Sequence, residues 1–314
     1  MQSKKTHLNC KPFALTIDPT NRCTLRCPAC ITGNGENLYP KGYMTFEMIK
    51  RIVDQLKDYV YIINLYNWGE PFLNRDLNKM VKYAHECRIY VSISTNLQCR
   101  NEETWREIVE KGCDHLIVCI DGASQETYSK YRVGGELDAA LRNLKKIIDW
   151  KKKLRRKNPF IVWQYLLFEH NENELQEAEK IAYAYGVDFF EIVHNPSPSR
   201  TSRIYQTTLV RTLRAQKKSE QTLSKQSICA WLWYNAVFYW DGKVFPCCYP
   251  LPGYYPDYFF GDITECDFET IWNGDRYVNA RQIFAKRGGH AISIPDNLCL
   301  HCWVTPAFLK KKCT

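Results

Sequence analysis

No stretch of this 314-residue chain holds the ~18 consecutive apolar residues that a membrane-crossing helix needs, which excludes a helical membrane protein. The N-terminus, MQSKKTHLNCKPF, has two lysines but no apolar segment behind them. No secretion signal is therefore expected, and a cytoplasmic location is the expectation. Internal repeats and low-complexity tracts are missing too, so no repeat architecture is expected. Lys145, Lys146, Lys151, Lys152, Lys153, Arg155, Arg156 and Lys157 hold much of the net charge of +9, but base-stacking aromatics are not interleaved through 151–157. The run therefore reads as a solvated helix face and the loop after it, not as a nucleic-acid surface. Its other conceivable use is to recruit an acidic or phosphorylated substrate.

What the chain has in excess is cysteine. Fifteen thiols, an odd number and without a secretion signal, argue against a disulfide scaffold and for metal ligation. Eight fall into two groups, Cys23, Cys27 and Cys30, then Cys229, Cys247, Cys248, Cys299 and Cys302. The scattered remainder are read as small packing residues, with Cys266 and Cys313 not expected as ligands.

A composition that is 45% hydrophobic and 14% aromatic suits one large domain, alone or with a small one. Short apolar runs predict strands at Phe13–Asp18, Tyr61–Tyr66, Ile89–Ser94, His115–Ile120, Phe160–Phe168 and Asp188–Val193. Amphipathic stretches predict helices at Thr45–Leu56, Leu77–Cys87, Glu102–Lys111, Leu137–Lys152 and Glu172–Tyr185. This alternation is that of βα units, hence a parallel sheet closed into a barrel or part of one, with chemistry at the C-terminal strand ends. We divide the chain into this unit (10–195), a polar linker and helix (196–228) and a cysteine-bearing unit (229–314). In the last, strands around Ala236–Tyr239 and Lys243–Phe245 meet at Asp241-Gly242, a hairpin signal. So little regular structure makes a weak core, which a bound metal would reinforce.

The loop after the first strand reads Cys23-x3-Cys27-x2-Cys30. Three thiolates can each bind one iron of a four-iron cluster and leave the fourth iron open to a substrate. A zinc site would want a fourth Cys or His nearby, and the loop has none. Farther on, Cys229-x17-Cys247 and Cys299-x2-Cys302 make a closed four-thiolate site, whose spacing suits zinc or a fully ligated cluster alike.

The first triplet, placed after a first strand, resembles the hallmark of the radical S-adenosylmethionine (SAM) superfamily. The segment Asn67-Trp68-Gly69-Glu70-Pro71 resembles that family's Gly-Gly-Glu-Pro motif, with Trp68 in place of the first glycine. Asp121-Gly122-Ala123-Ser124-Gln125-Glu126-Thr127-Tyr128 and Tyr131-Arg132 resemble segments of one branch of it. The C-terminal unit is similar to the auxiliary-cluster region called SPASM, or its shorter twitch form. It carries Trp231, Asp241-Gly242-Lys243-Val244, Pro246-Cys247-Cys248, Gly261-Asp262-Ile263 and Ile271-Trp272-Asn273, and lacks the dense cysteine run of the full form.

The resemblance implies a partial (β/α)6 TIM-like barrel with a small cysteine-rich SPASM/twitch domain. It implies SAM and two 4Fe–4S clusters as cofactors: an open one on Cys23, Cys27 and Cys30, and one auxiliary cluster on Cys229, Cys247, Cys299 and Cys302. Cys248 stays open as the alternative to Cys247, which the spacing of the twitch-type aminocyclitol dehydrogenase favours. SAM contacts are expected from Trp68, Gly69, Glu70, Pro71, Ser94, Asn96, Asp121 and Arg132, with Gln164 facing the cofactor ribose or the substrate. Glu70 and backbone groups would receive the methionine amino group, and Arg132 its carboxylate. Ala29 stands where an aromatic residue is common, so adenine packing is expected partly from elsewhere.

The implied activity is reductive cleavage of SAM to a 5′-deoxyadenosyl radical that abstracts a substrate hydrogen. A flavodoxin or ferredoxin would supply the electron. The single auxiliary cluster favours oxidation or rearrangement of a hydroxylated small molecule, with a sugar or aminocyclitol in view. Cross-linking or epimerisation of a ribosomal peptide is the alternative, and a zinc-stapled binding protein the non-enzymatic one.

Overall fold

Six runs rich in β-branched and aromatic residues become parallel strands in the computed structural model, which describes residues 5–98, 102–194, 229–248, 256–285 and 298–301. In chain order these are β1 (Ala14–Ile17), α1 (Phe46–Leu56), β2 (Ile62–Asn64), α2 (Leu77–Glu86), β3 (Tyr90–Thr95), α3 (Glu102–Glu110), β4 (His115–Cys119), α4 (Gln125–Tyr131), α5 (Leu137–Lys153), β5 (Phe160–Leu167), α6 (Leu175–Tyr185) and β6 (Phe189–His194). The strands pair in sequence order, all parallel, as an open six-stranded part of a barrel.

Alternation sorts the strand residues between two environments. Leu15, Ile17, Ile63, Val91, Ile93, Leu116, Val118, Ile161 and Trp163 point outward into one core with Ile49, Val53, Met80, Ala84, Leu144 and Ile147 of the helices. The alternate positions, which face the concave lumen, carry Thr16, Asn64, Ser92, Ser94, His115, Cys119, Gln164 and Glu191 beside the apolar Ile62, Ile117, Val162 and Leu166. Helix boundaries follow local chemistry. The Thr45 hydroxyl accepts from the Met48 amide to start α1, and Gly186, at φ 99°, ends α6 in the left-handed region.

The C-terminal region joins the same sheet. β7 (Asn235–Phe238) follows a short helix, α7 (Trp231–Tyr234), and pairs parallel with the free edge of β1. β8 (Lys243–Phe245) and β9 (Gly261–Asp262) continue the sheet antiparallel, giving the order β6-β5-β4-β3-β2-β1-β7-β8-β9. The Asp241-Gly242 turn joins β7 to β8 as the sequence predicts, with Gly242 at φ 93°. Two helices, α8 (Phe268–Trp272) and α9 (Asp275–Ala285), cover this extension. Arg281, fully buried, lies over the Trp272 ring at 4.3 Å and donates to the carbonyls of Leu232, Thr6 and Trp272, tying α9 to the N-terminus.

The linker 196–228, Cys302 and Cys313 lie outside the described residues. Among the described residues no helix is long and apolar enough to cross a membrane. The basic run ends α5 and precedes β5, at the N-terminal strand ends and so opposite the mouth where chemistry gathers. Lys151 pairs with Asp188 at 2.6 Å there, and Lys153 lies over the Trp150 ring at 4.4 Å. This position does not suit recruitment of a substrate to the mouth.

Candidate functional site

Close backbone packing shapes the cysteine loop. A Cβ on Gly33 would meet the Cys27 backbone at 2.5 Å, so the chain recrosses the loop only with glycine there. A Cβ on Gly69 would lie 1.8 Å from the Thr20 carbonyl oxygen, which locks the segment after β2 against the start of the cysteine loop. The Glu70 amide donates to Arg22 O at 2.8 Å at the same seam. The buried Glu70 carboxylate accepts from Thr95 Oγ1 and the Asn96 amide, both at 2.8 Å, and from the Phe72 amide at 3.2 Å. Glu70 thus ties the ends of β2 and β3 together, a second task beside the ammonium contact expected of it. Pro71 opens the 3₁₀ turn that Glu70 caps.

Around the thiols, Leu25, Cys27, Ala29, Tyr131 and Phe168 form a small apolar cluster against Cys23, Cys30 and Leu166. Tyr131 and Phe168 pack with ring centroids 4.4 Å apart, so aromatic surface is present beside Ala29 but comes from α4 and the end of β5. Burial pushes the Cys23 thiol up to about 11 and Cys27 up to about 12, against the pull of the Arg132 guanidinium. Asn96 Nδ2 donates to Cys23 Sγ at 3.5 Å, and Arg132 Nη1 lies 4.0 Å from Cys27 Sγ. Among the described residues no three His, Cys, Asp or Glu side chains meet as a single metal ion requires. Three sulfurs on one half-buried loop, with donors and a cation nearby, fit a many-atom cluster instead.

Arg132 ends α4 and lies inside the site, not on the surface. Its Nε donates to Asp121 Oδ2 at 2.5 Å, while Asp121 Oδ1 accepts from the Leu166 amide at 2.7 Å. Asp121 is therefore occupied in holding the guanidinium. The sequence reading missed the support for this loop: Glu174, ahead of α6, accepts from the Ala123 and Ser124 amides and the Ser124 and Thr127 hydroxyls. Only the chain fold brings residue 174 to residue 123, so spacing carried no signal for it.

Below the mouth, Ser94 Oγ lies 3.2 Å from Cys119 Sγ, which points to Gln164 Oε1 at 3.9 Å, and Gln164 Nε2 donates to Glu191 Oε2 at 3.1 Å. Tyr66 reaches over this row, close to Ser92 and within electrostatic reach of Cys119, Glu191 and Cys248. Ser94 and Gln164 were foreseen on this wall, whereas Tyr66 and Glu191 were not. Glu191 pairs with Gln164 and shares its face, a register that only the folded sheet sets.

On the other side, Trp68 Nε1 donates to the Cys248 carbonyl at 3.2 Å, joining the segment after β2 to the second cysteine group. The Tyr277 phenol is within electrostatic reach of both Cys247 and Cys299, and that of Tyr234 within reach of Cys229 and Cys248. Cys299 is buried and Cys229 half-buried; Cys302, the fourth expected ligand, falls outside the described residues.

Comparison with known proteins bears on both halves. The family model described as the Radical SAM superfamily matches residues 17–179, and that of SPASM, an iron–sulfur cluster-binding domain, matches 229–303. The chain is 23% identical over 295 residues to the tungsten-containing aldehyde ferredoxin oxidoreductase cofactor-modifying protein of Pyrococcus furiosus, covering 84% of this chain and 82% of that one. It is 32% identical over 126 residues to Fe-coproporphyrin III synthase of Methanosarcina barkeri (40% of this chain, 31% of the relative). It is 26% identical over 144 residues to PqqA peptide cyclase of Bradyrhizobium diazoefficiens (46% and 37%). The matched part is thus only about a third of the length of the last two. Among solved structures, Streptococcus suis SuiB bound to S-adenosylmethionine aligns with a TM-score of 0.67 at 15% identity, covering 87% of this chain and 68% of SuiB. BtrN in complex with AdoMet and 2-DOIA aligns at 0.52 and 15%, covering 88% and 89%. These two likenesses concern the fold.

Proposed function

This chain belongs to the radical SAM superfamily, in its SPASM/twitch branch, and on that footing we propose that it oxidises a polar substrate held in the barrel lumen. Its cofactors are S-adenosylmethionine and 4Fe–4S clusters. The bound cofactors supply a 5′-deoxyadenosyl radical that takes a hydrogen atom from a substrate carbon. Cys23, Cys27 and Cys30 would hold the open cluster, and Asn96 and Arg132 would stabilise the charge on its sulfurs. Arg132, oriented by Asp121, would receive the methionine carboxylate. Tyr131 and Phe168 offer the adenine an apolar face. Gly69, Glu70 and Pro71 set the backbone that meets the methionine amino group, with Trp68, Ser94 and Asn96 beside them.

The observation that carries the reading is the shared mouth: the thiol loop, the strand-end acceptors and a lumen wall bearing a polar row open at one end of the same barrel. Cys229, Cys247, Cys299 and Cys302 would hold one auxiliary cluster, which could accept the electron left on the substrate. A hydroxylated small molecule fits a lumen lined by Ser, Gln and Glu side chains. The likeness to PqqA peptide cyclase favours a second reading, in which the oxidised group is a residue of a peptide. The reducing electron would come from a flavodoxin or ferredoxin.

Iron and sulfide content after anaerobic reconstitution tests the assignment. About eight irons in the native chain and about four in a Cys23/Cys27/Cys30→Ala variant are expected. About four in the native chain and none in the variant would remove the auxiliary cluster and its electron-accepting role. Zinc without sulfide in both would overturn the whole reading.

A further inference from the structure

We propose that Glu191 makes the β5–β6 wall of the lumen a binding site for a protonated amine on the substrate. This rests on the lumen being the substrate chamber. Glutamate is disfavoured in strands, so a half-buried carboxylate kept at an inward position of β6 calls for a polar or cationic partner in the lumen. Among the described residues Glu191 takes one hydrogen bond, from Gln164 Nε2 to Oε2, and no Lys, Arg or His lies within ion-pairing distance of it.

The groups that could neutralise it are otherwise engaged. Arg132 is paired with Asp121. His115, on the same lumen face, has Nδ1 bonded to Ser92 Oγ at 2.9 Å; burial lowers its proton affinity against the opposing pull of Glu191, with which it forms no ion pair. The Tyr66 phenol has no cationic form and so supplies no counter-charge. The described lumen therefore holds one carboxylate with its counter-charge missing. By register Glu191 stands two strands from Cys119, roughly 10 Å across the sheet from the side chain that borders the SAM segment. An ammonium seated there would hang the neighbouring carbons over the middle of the lumen. The amine could belong to an amino sugar or to a lysine side chain of a peptide, and the two sources share this chemistry.

The test is equilibrium binding to the reconstituted, SAM-loaded holoenzyme by calorimetry, in two matched pairs: glucosamine against glucose, and N-acetyl-lysine methylamide against its norleucine counterpart. At least one amine should bind about tenfold or more tighter than its neutral partner, as a charge-assisted contact implies. The Glu191→Gln variant should abolish that preference, its iron and sulfide content matching the native protein to verify folding. The pair that shows the preference tells amino sugar from peptide. Equal binding within both pairs, no binding by either amine, or a preference that survives Glu191→Gln would overturn the proposal. Dithionite-driven SAM cleavage by the native enzyme is scored separately: its absence would fail the radical reading, while binding would still judge the amine site.

Discussion

Asp18 closes β1 with its carboxylate fully buried and neither oxygen hydrogen-bonded. Burial holds the carboxyl well above the usual carboxylate range, with repulsion from Asp241 adding to it and the nearby Trp68 backbone offsetting only part. Folding then takes up a proton that the unfolded chain releases. The associated stability is fully present below the unfolded value of about 4 and is lost as pH rises towards the raised folded value. Asp18→Asn keeps the shape without the charge. Thermal unfolding should show the variant more stable than the native protein at pH 8, with the gap closing towards about pH 4; a gap independent of pH would refute the assignment. Arg132 invites the opposite experiment. A lysine there cannot keep Nε on Asp121 while offering a planar fork to a carboxylate. Arg132→Lys should raise the KM for SAM by about tenfold or more, read from 5′-deoxyadenosine formation, and an unchanged KM would remove the residue from SAM binding.

Among elements, helices and strands followed their local chemistry closely, and this is where the sequence was most legible. Thr45 caps α1, Gly186 ends α6, and the inward strand positions alternate with core positions throughout β3, β4 and β5. Gly186→Ala isolates one such signal, because the added Cβ would meet only Ile148 Cγ2 at 3.7 Å. The cost is left-handed strain alone, about 1 kcal/mol, which denaturant unfolding would read as a lower midpoint at unchanged slope. The motifs after β1 and β2 were legible for a similar reason, since their residues are neighbours in the chain. Contacts between distant segments were not. Glu174 beneath the 121–127 loop, Trp68 on the Cys248 carbonyl and Glu191 beside Gln164 join residues between 27 and 180 positions apart, and no periodicity encodes such meetings. Arg132, expected from the resemblance as the carboxylate contact, shows the same limit in part, since only the fold supplies Asp121 as its partner.

For the molecule as a whole, the decisive feature is that β1 has neighbours on both sides, β2 and β7. The strand that launches the cysteine loop is therefore central in the sheet, and the C-terminal region provides half of its pairing. Asp18 donates its amide to Phe238 O at 2.8 Å, and Tyr39 donates its hydroxyl to Asp241, at 3.0 and 2.8 Å from the two oxygens, so the loop is anchored to that region as well. An expectation of a small domain held by its metal underrates this: the extension is also held by a β-ladder and by a core that includes Leu232, Phe238, Phe245 and Trp272. A chain cut after residue 194 would expose β1 as a four-residue edge with its apolar surroundings uncovered. Such a fragment should elute from size exclusion as aggregate, and it should fail to take up iron on the three N-terminal cysteines although all three are present. Chelating the metals of the full chain is a milder insult, because the ladder remains, and it should leave an unaggregated protein with reduced thermal stability. Were the 1–194 fragment to elute as a monomer and bind about four irons, the barrel would be independent of its extension, and the pairing of β1 with β7 would be an accessory to the site instead of part of its foundation.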